Sequence, residues 1–178
     1  MNGASILILP GWQNSGSLHW QSLWQAQWAC QRVEQHDWMR PLRGDWLIQL
    51  EEAVLATAEP VTLVAHSLGC HLAAAWAAHS QHTARVRAAL LVAPADVERD
   101  ALRSVLGSWS PPVLQRLPFR STVVASSDDP YCSLARAHDF AAAWGSQIVT
   151  LGACGHINAD SGLGNWPQGQ ALLQALLT

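Results

Sequence analysis

Charge is scarce in this chain. Only 13% of its 178 residues are Asp, Glu, Lys or Arg, and the ten Lys and Arg residues form no run. With a formal net charge of −3, the sequence argues against a basic surface for nucleic acid and against a polybasic membrane patch. Long apolar runs are missing too. Ile6-Leu7-Ile8-Leu9 has no basic flank and stops at Pro10-Gly11, which is neither a secretory signal nor a bilayer span. The four cysteines, Cys30, Cys70, Cys132 and Cys154, lack zinc-type spacing and suit free thiols in a reducing compartment, so the expected location is the cytoplasm. No repeat, low-complexity tract or linker interrupts the chain. A single domain over residues 1–178 is expected, large enough for a core of its own.

What is present is apolar and periodic. Hydrophobic residues make up 49% of the chain, so most of it is destined for buried layers. Short apolar runs read as strands at Ser5–Leu9, Val61 to His66, Val86–Ala93, Ser121–Ala125 and Ile148–Leu151, with a weaker, more polar one at Gln31–Gln35 that suits a sheet edge. Between them lie helical patterns. Ser17 is placed to cap a helix carrying Trp20, Trp24 and Trp28, and Asp45 to cap one carrying Trp46, Leu50 and Val54. Further helices are expected after Ser67, over Val97 to Leu106, through Ala137 to Trp144, and from about Asn165. Six strands alternating with six helical segments predict an α/β fold: a three-layer sandwich with a mostly parallel sheet of about six strands and helices on both faces. Ligands of such sheets bind at the carboxyl ends of the strands.

The chain is organised around Val61-Thr62-Leu63-Val64-Ala65-His66-Ser67-Leu68-Gly69. A buried strand changes here to helical period at Ser67, the geometry of a nucleophile elbow. Small neighbours are needed where the backbone crowds, and Ala65 and Gly69 meet that need. An ordinary N-cap serine is the competing reading. A serine nucleophile needs a base, and the base needs an acceptor that fixes its tautomer. The expected chain order is Ser, acid, His. Asp128 and Asp129 follow the fifth strand, and His156 follows the sixth in a glycine-bracketed loop. Asp129, just before Pro130, is preferred as the acid; Asp128 suits a turn cap, and Asp96 remains a third carboxylate. The backbone N–H groups of Leu68 and of Trp12, after Pro10-Gly11, are candidates for an oxyanion hole, unless Pro10-Gly11 merely ends a strand. His66 precedes the serine and should point away from it, and His71 could reach the site only indirectly. His19, His36, His79, His82 and His138 read as surface or packing residues. No histidine pair has metal-site spacing, and no metal or cofactor is implied.

With these residues placed, the chain resembles the α/β-hydrolases, and more narrowly the small lidless serine hydrolases of the retinoblastoma-binding-protein-nine type. The resemblance rests on Leu9-Pro10-Gly11-Trp12-Gln13-Asn14-Ser15-Gly16, His19-Trp20-Gln21, Gln35-His36-Asp37-Trp38, Ala65-His66-Ser67-Leu68-Gly69-Cys70, Val92-Ala93-Pro94-Ala95-Asp96, Ser127-Asp128-Asp129-Pro130-Tyr131 and Gly155-His156-Ile157-Asn158. It implies a minimal hydrolase fold, a Ser67–Asp129–His156 site and an esterase- or peptidase-like activity. One family property does not carry over. Retinoblastoma binding is tied to Leu-x-Cys-x-Glu, and this chain has Leu72 where the glutamate would stand, so no such partner is expected.

The leading expectation is a serine hydrolase that cleaves a small ester, thioester or amide through an acyl-enzyme. A non-catalytic binding module on the same fold is a second class, and an acyltransferase or lyase using the same triad a third. Only 27 residues, Pro94 to Arg120, join the fourth and fifth strands, too few for a large cap. The pocket should then be open or shallow, with Trp12, Trp38, Trp109 and Tyr131 as candidate walls for a small-molecule substrate. Oligomeric state is not legible in the sequence.

Overall fold

The computed structural model describes residues 5–178; residues 1–4 of the expected domain span lie outside the described residues. Each aliphatic run becomes a strand because β-branched and leucine side chains on both faces find a helix layer to bury against. The strands are β1 (Ile6–Leu9), β2 (Gln31–Arg32), β3 (Val61–His66), β4 (Val86–Val92), β5 (Arg120–Ser126) and β6 (Gln147–Leu151). All pair in parallel, in the order β2-β1-β3-β4-β5-β6. The central strands β1 and β3 are buried along their whole length. The polar β2 is one of the two edge strands. It keeps only two of the five residues expected, although Val33 still donates its N–H to the Ile8 carbonyl at 3.0 Å.

The helices are α1 (Trp20–Trp28), α2 (Arg43–Ala56), α3 (Leu68–His79), α4 (Asp100–Leu106), α5 (Leu134–Trp144) and α6 (Pro167–Leu177). Strand alternation sorts the core into two clusters. Leu7, Leu9, Leu63 and Ala65 meet α2, α3, α4 and α5, whereas Ile6, Ile8 and Val64 meet α1 and α6. The segment between β4 and β5 holds only α4 and a 3₁₀ turn, Gly107–Trp109, so no cap domain covers the sheet.

Three helix starts differ from expectation for local reasons. At α1 the cap is His19, whose Nδ1 accepts the N–H of Gln21, while Ser17 is exposed two residues upstream. At α2 the cap position is Leu42 and makes no side-chain bond. Asp45 lies inside the first turn, where its carboxylate faces the positive end of the helix dipole. The fourth helix begins at Asp100 rather than Val97, because Val97 is buried in the core ahead of it. The closing helix starts at Pro167, with proline in the first turn, where its missing N–H costs nothing.

Buried tryptophans tie loops to this core. Trp20 Nε1 donates to Ile157 O at 2.7 Å, Trp24 Nε1 to Asn165 O at 2.8 Å, Trp109 Nε1 to Pro41 O at 2.7 Å and Trp144 Nε1 to Val113 O at 2.8 Å.

Candidate active site

The chain turns back between β1 and β3: β2 lies on one side of β1 and β3 on the other. The loops leaving β1 and β3 therefore diverge at their carboxyl ends and leave a crevice between them. Ser67 stands in it, between the end of β3 and the start of α3, at φ 54 and ψ −120. A non-glycine residue held there costs on the order of 1–3 kcal/mol, a strain that surrounding packing must impose. The packing is visible at two glycines. A Cβ on Gly69 would lie 2.2 Å from the Leu9 carbonyl oxygen, so α3 can lie against the end of β1 only with glycine there. A Cβ on Gly11 would lie 2.8 Å from Ser67 Cβ and 3.3 Å from Leu68 N, so the β1 loop sits directly on the elbow. The Ser67 N–H is fixed from the other side by the Val92 carbonyl at 2.9 Å.

Ser67 Oγ is 2.9 Å from His156 Nε2, and His156 Nδ1 is 2.9 Å and 3.0 Å from the two Asp129 carboxylate oxygens. The side chains of His156 and Asp129 are 10% and 3% exposed, so this ion-pair geometry is shielded from water. Asp129 Oδ1 also accepts the Tyr131 N–H at 2.8 Å. With a carboxylate acceptor at Nδ1, the neutral imidazole carries its proton there and leaves Nε2 free to accept.

Asp128 has a different task from its neighbour. Its Oδ1 accepts Ser126 Oγ at 2.7 Å and the Gly155 N–H at 2.8 Å, which anchors the loop carrying His156. Those bonds hold its carboxyl below the usual carboxylate range, the Ser126 hydroxyl first and the Gly155 N–H next. Asp128 thus caps more than its own turn. Asp96 faces elsewhere: its carboxylate accepts the Glu98 N–H and pairs with Arg136 Nε at 3.5 Å.

A cavity of about 250 Å³ opens at Ser67. Of the four expected wall residues, Trp12 and Tyr131 line it, and the Tyr131 ring stands 4.6 Å from that of His156. Trp38 and Trp109 do not. Their rings pack edge-on against Trp46, at 5.4 Å and 5.7 Å, and Trp109 is 1% exposed. Their side chains turn inward because apolar rings on loops above a core bury when a partner lies beneath them.

Other side chains line the cavity as well. Leu102 and Leu106 enter from α4, and Asn158 from the loop after β6. His66 and His19 are also in the wall. His66 points to the opposite sheet face from Ala65, as alternation requires, and its Nε2–H donates to the His156 carbonyl at 2.9 Å. Burial above all, with the nearby charges of His19 and His156, holds its pKa well below the ordinary histidine value. His71 is buried as well. Its Nε2–H donates to Ala95 O at 2.6 Å, and burial lowers its pKa to about 4.

The β1 loop is locked from below. Gln21, fully buried, donates to Leu9 O and Val64 O at 3.2 and 3.0 Å and accepts Ser15 Oγ at 2.7 Å. Arg32 holds Asn14 Oδ1 at 2.5 Å and Ser15 O at 3.0 Å. Among the described residues, no group of three or more His, Cys, Asp or Glu side chains is arranged to hold a metal ion.

Solved structures with the same architecture include a protein of Pectobacterium atrosepticum described as a YdeN-like hydrolase. It is 29% identical, with a TM-score of 0.86 over 97% of this chain and 89% of that one. The ydeN gene product of Bacillus subtilis shares the fold at 20% identity, with a TM-score of 0.79 over 97% of both chains. So does the thermophilic esterase Est2 of Thermogutta terrifontis, at 17% identity and a TM-score of 0.67 over 97% of this chain and 80% of that one. No curated protein sequence matches the chain. The sequence pattern of one family runs through residues 6–175, from β1 into α6, and by that match the chain belongs to the serine hydrolases.

Proposed function

We infer that the protein cleaves a small carboxylic ester, thioester or amide through an acyl-enzyme on Ser67. The observation that carries this reading is the unbroken chain Ser67 Oγ–His156 Nε2 at 2.9 Å and His156 Nδ1–Asp129 at 2.9 Å, at the mouth of a cavity. His156 takes the Ser67 proton as Oγ attacks the carbonyl carbon. Asp129 orients the imidazole and stabilises its cationic form. The negative charge on the carbonyl oxygen is met by two backbone donors. One is the Leu68 N–H, which begins α3 and so has no intrahelical acceptor. The other is the Trp12 N–H, on the loop that Gly11 brings against Leu68. His156 then returns its proton to the departing oxygen, sulfur or nitrogen. Water, deprotonated by His156, releases the acid and regenerates Ser67.

The test is labelling with a fluorophosphonate alongside hydrolysis of 4-nitrophenyl acetate and butyrate. Wild type should label and turn over. Ser67→Ala should keep its melting temperature, fail to label, and lose about 10⁴- to 10⁶-fold in kcat. A Ser67→Ala protein retaining a tenth of the wild-type rate removes the serine from the reaction.

A further inference from the structure

The cavity at Ser67 has two unlike walls, and they come from opposite faces of the sheet. Leu68, Leu102 and Leu106 form one, and they belong to the core cluster under α2, α3 and α5. His19, His66, His156 and Asn158 form the other, and the chain neighbours Trp20 and Ile157 belong to the cluster under α1 and α6. On this second wall three imidazoles stand in a row, with ring centres 4.7 Å apart from His19 to His66 and 4.8 Å from His66 to His156.

His156 is bonded at both ring nitrogens, and His66 Nε2 holds the His156 carbonyl, so neither ring has a buried nitrogen left without a partner. His19 does not. Its Nδ1 accepts the Gln21 N–H at 3.2 Å, so the ring proton resides on Nε2. That N–H has no partner, although the residue is only 4% exposed. A buried donor left unpaired is costly, and native structures keep few of them. Burial first, then the charges of His156 and Arg32, lowers the pKa of His19 to about 3. It is therefore a neutral donor at physiological pH, neither a base nor a cation.

The chemistry decides which wall takes which half of a substrate. His156 Nε2 returns its proton to the leaving atom, so the leaving group must lie on the imidazole side. The acyl chain is left with the leucine wall. Resting on the acyl-enzyme reading above, we propose that the substrates join a short apolar acyl group to a polar leaving group, and that the Nε2–H of His19 takes an acceptor oxygen on that leaving group. The cavity volume of about 250 Å³ keeps both halves small.

A matched pair of esters tests this: 2-methoxyethyl butyrate and butyl butyrate, which differ by one ether oxygen in place of a methylene. Comparing their kcat/KM ratio between variants cancels the intrinsic difference in reactivity. His19→Asn keeps an acceptor to cap α1 and removes the Nε2–H, and should lower the methoxyethyl-to-butyl ratio about tenfold. His19→Gln, which places an amide N–H near the same point, should restore part of it. Leu106→Ala should leave this ratio alone and shift acyl preference from butyrate towards hexanoate. A folded His19→Asn protein with the wild-type ratio overturns the proposal.

Ser67→Ala separates this proposal from the hydrolase reading and works even where a His19 variant fails to fold. Titrated with the same two esters, it should bind the methoxyethyl ester more tightly and shift the His19 imidazole ¹⁵N resonances. That preference, found while wild type hydrolyses neither ester, keeps the polar wall and sinks turnover. Hydrolysis of both esters by wild type, with equal binding to Ser67→Ala, keeps turnover and sinks the polar wall.

Discussion

Ser67 and His156 are held in place by different physics. Ser67 is fixed chiefly by steric contact, with one backbone bond to the Val92 carbonyl: Gly69 and Gly11 let two backbones close on the elbow with no room for a methyl group. His156 is fixed by hydrogen bonds converging on residues 154–157. Asp128 holds the Gly155 N–H, Ser126 Oγ the Cys154 N–H at 3.0 Å, and Ser161 Oγ the Cys154 carbonyl at 2.6 Å. His66 holds the His156 carbonyl, and Trp20 the Ile157 carbonyl. Steric fixation is all-or-none, because repulsion rises steeply over tenths of an ångström. A hydrogen-bonded loop shares the work among several donors, so losing one should displace His156 without releasing it.

The sharpest break of the comparison is Gly69→Ala. A methyl 2.2 Å from Leu9 O forces the helix off the sheet, and overpacking of this kind costs about 1–3 kcal/mol or more. Purified variant should melt well below wild type and show no esterase activity, read by circular dichroism and the same ester assay. Next comes Asp129. Asp129→Asn leaves the loop bonds intact but favours the wrong His156 tautomer, and should lower kcat by about 10⁴-fold with little change in melting temperature. Smaller effects belong to the loop supports. Asp128→Ala and His66→Ala should each cost about 10- to 100-fold in kcat/KM through displacement of His156, whereas Asp128→Asn and His66→Gln, which keep the acceptor or donor, should recover most of it. If Asp128→Asn proves worse than Asp129→Asn, the roles of the two carboxylates are reversed.

The last comparison is of stability with pH. His19, His66 and His71 are neutral in the fold, with pKa values of about 3, well below the usual value, and about 4 respectively. Unfolded, each titrates near ~6.5. Below that pH the unfolded chain binds more protons than the folded one. Their contribution to stability is therefore complete above ~6.5 and is lost as pH falls towards the folded values, on the order of 1 kcal/mol per pH unit for each histidine. Urea unfolding midpoints should drop from pH 7 to pH 5, and His71→Gln should flatten that slope by about one proton.

The parts read well from sequence are those written in local pattern. The aliphatic runs of β1, β3, β4 and β5 needed no partner to be recognised, and Ser67, Asp129 and His156 each follow a strand in the order that brings such residues together. The helix start at His19 was hidden because an imidazole can cap as serine does, and only the fold shows which side chain turns back. The cavity walls were hidden for another reason. Loop position places a residue near the crevice but does not orient it, so Trp109 fell into the core and Trp38 packed against it while Leu102, Leu106 and His19 came forward. The bond from His66 to the His156 carbonyl spans 90 residues and leaves no trace in either local sequence.

The indole N–H bonds from the core to the loops bear on how this molecule melts. A loop of free chain gains entropy by fraying before the body of a protein unfolds, and sites built on loops often go first. Here the 157 and 165 loops are pegged through Trp20 and Trp24, rings buried beneath the sheet at 1% and 0% exposure. Neither loop can peel away while its peg stays packed. The segment next to His156 is thereby coupled to the innermost layer, and indole fluorescence should report loss of the site and loss of the core as one transition.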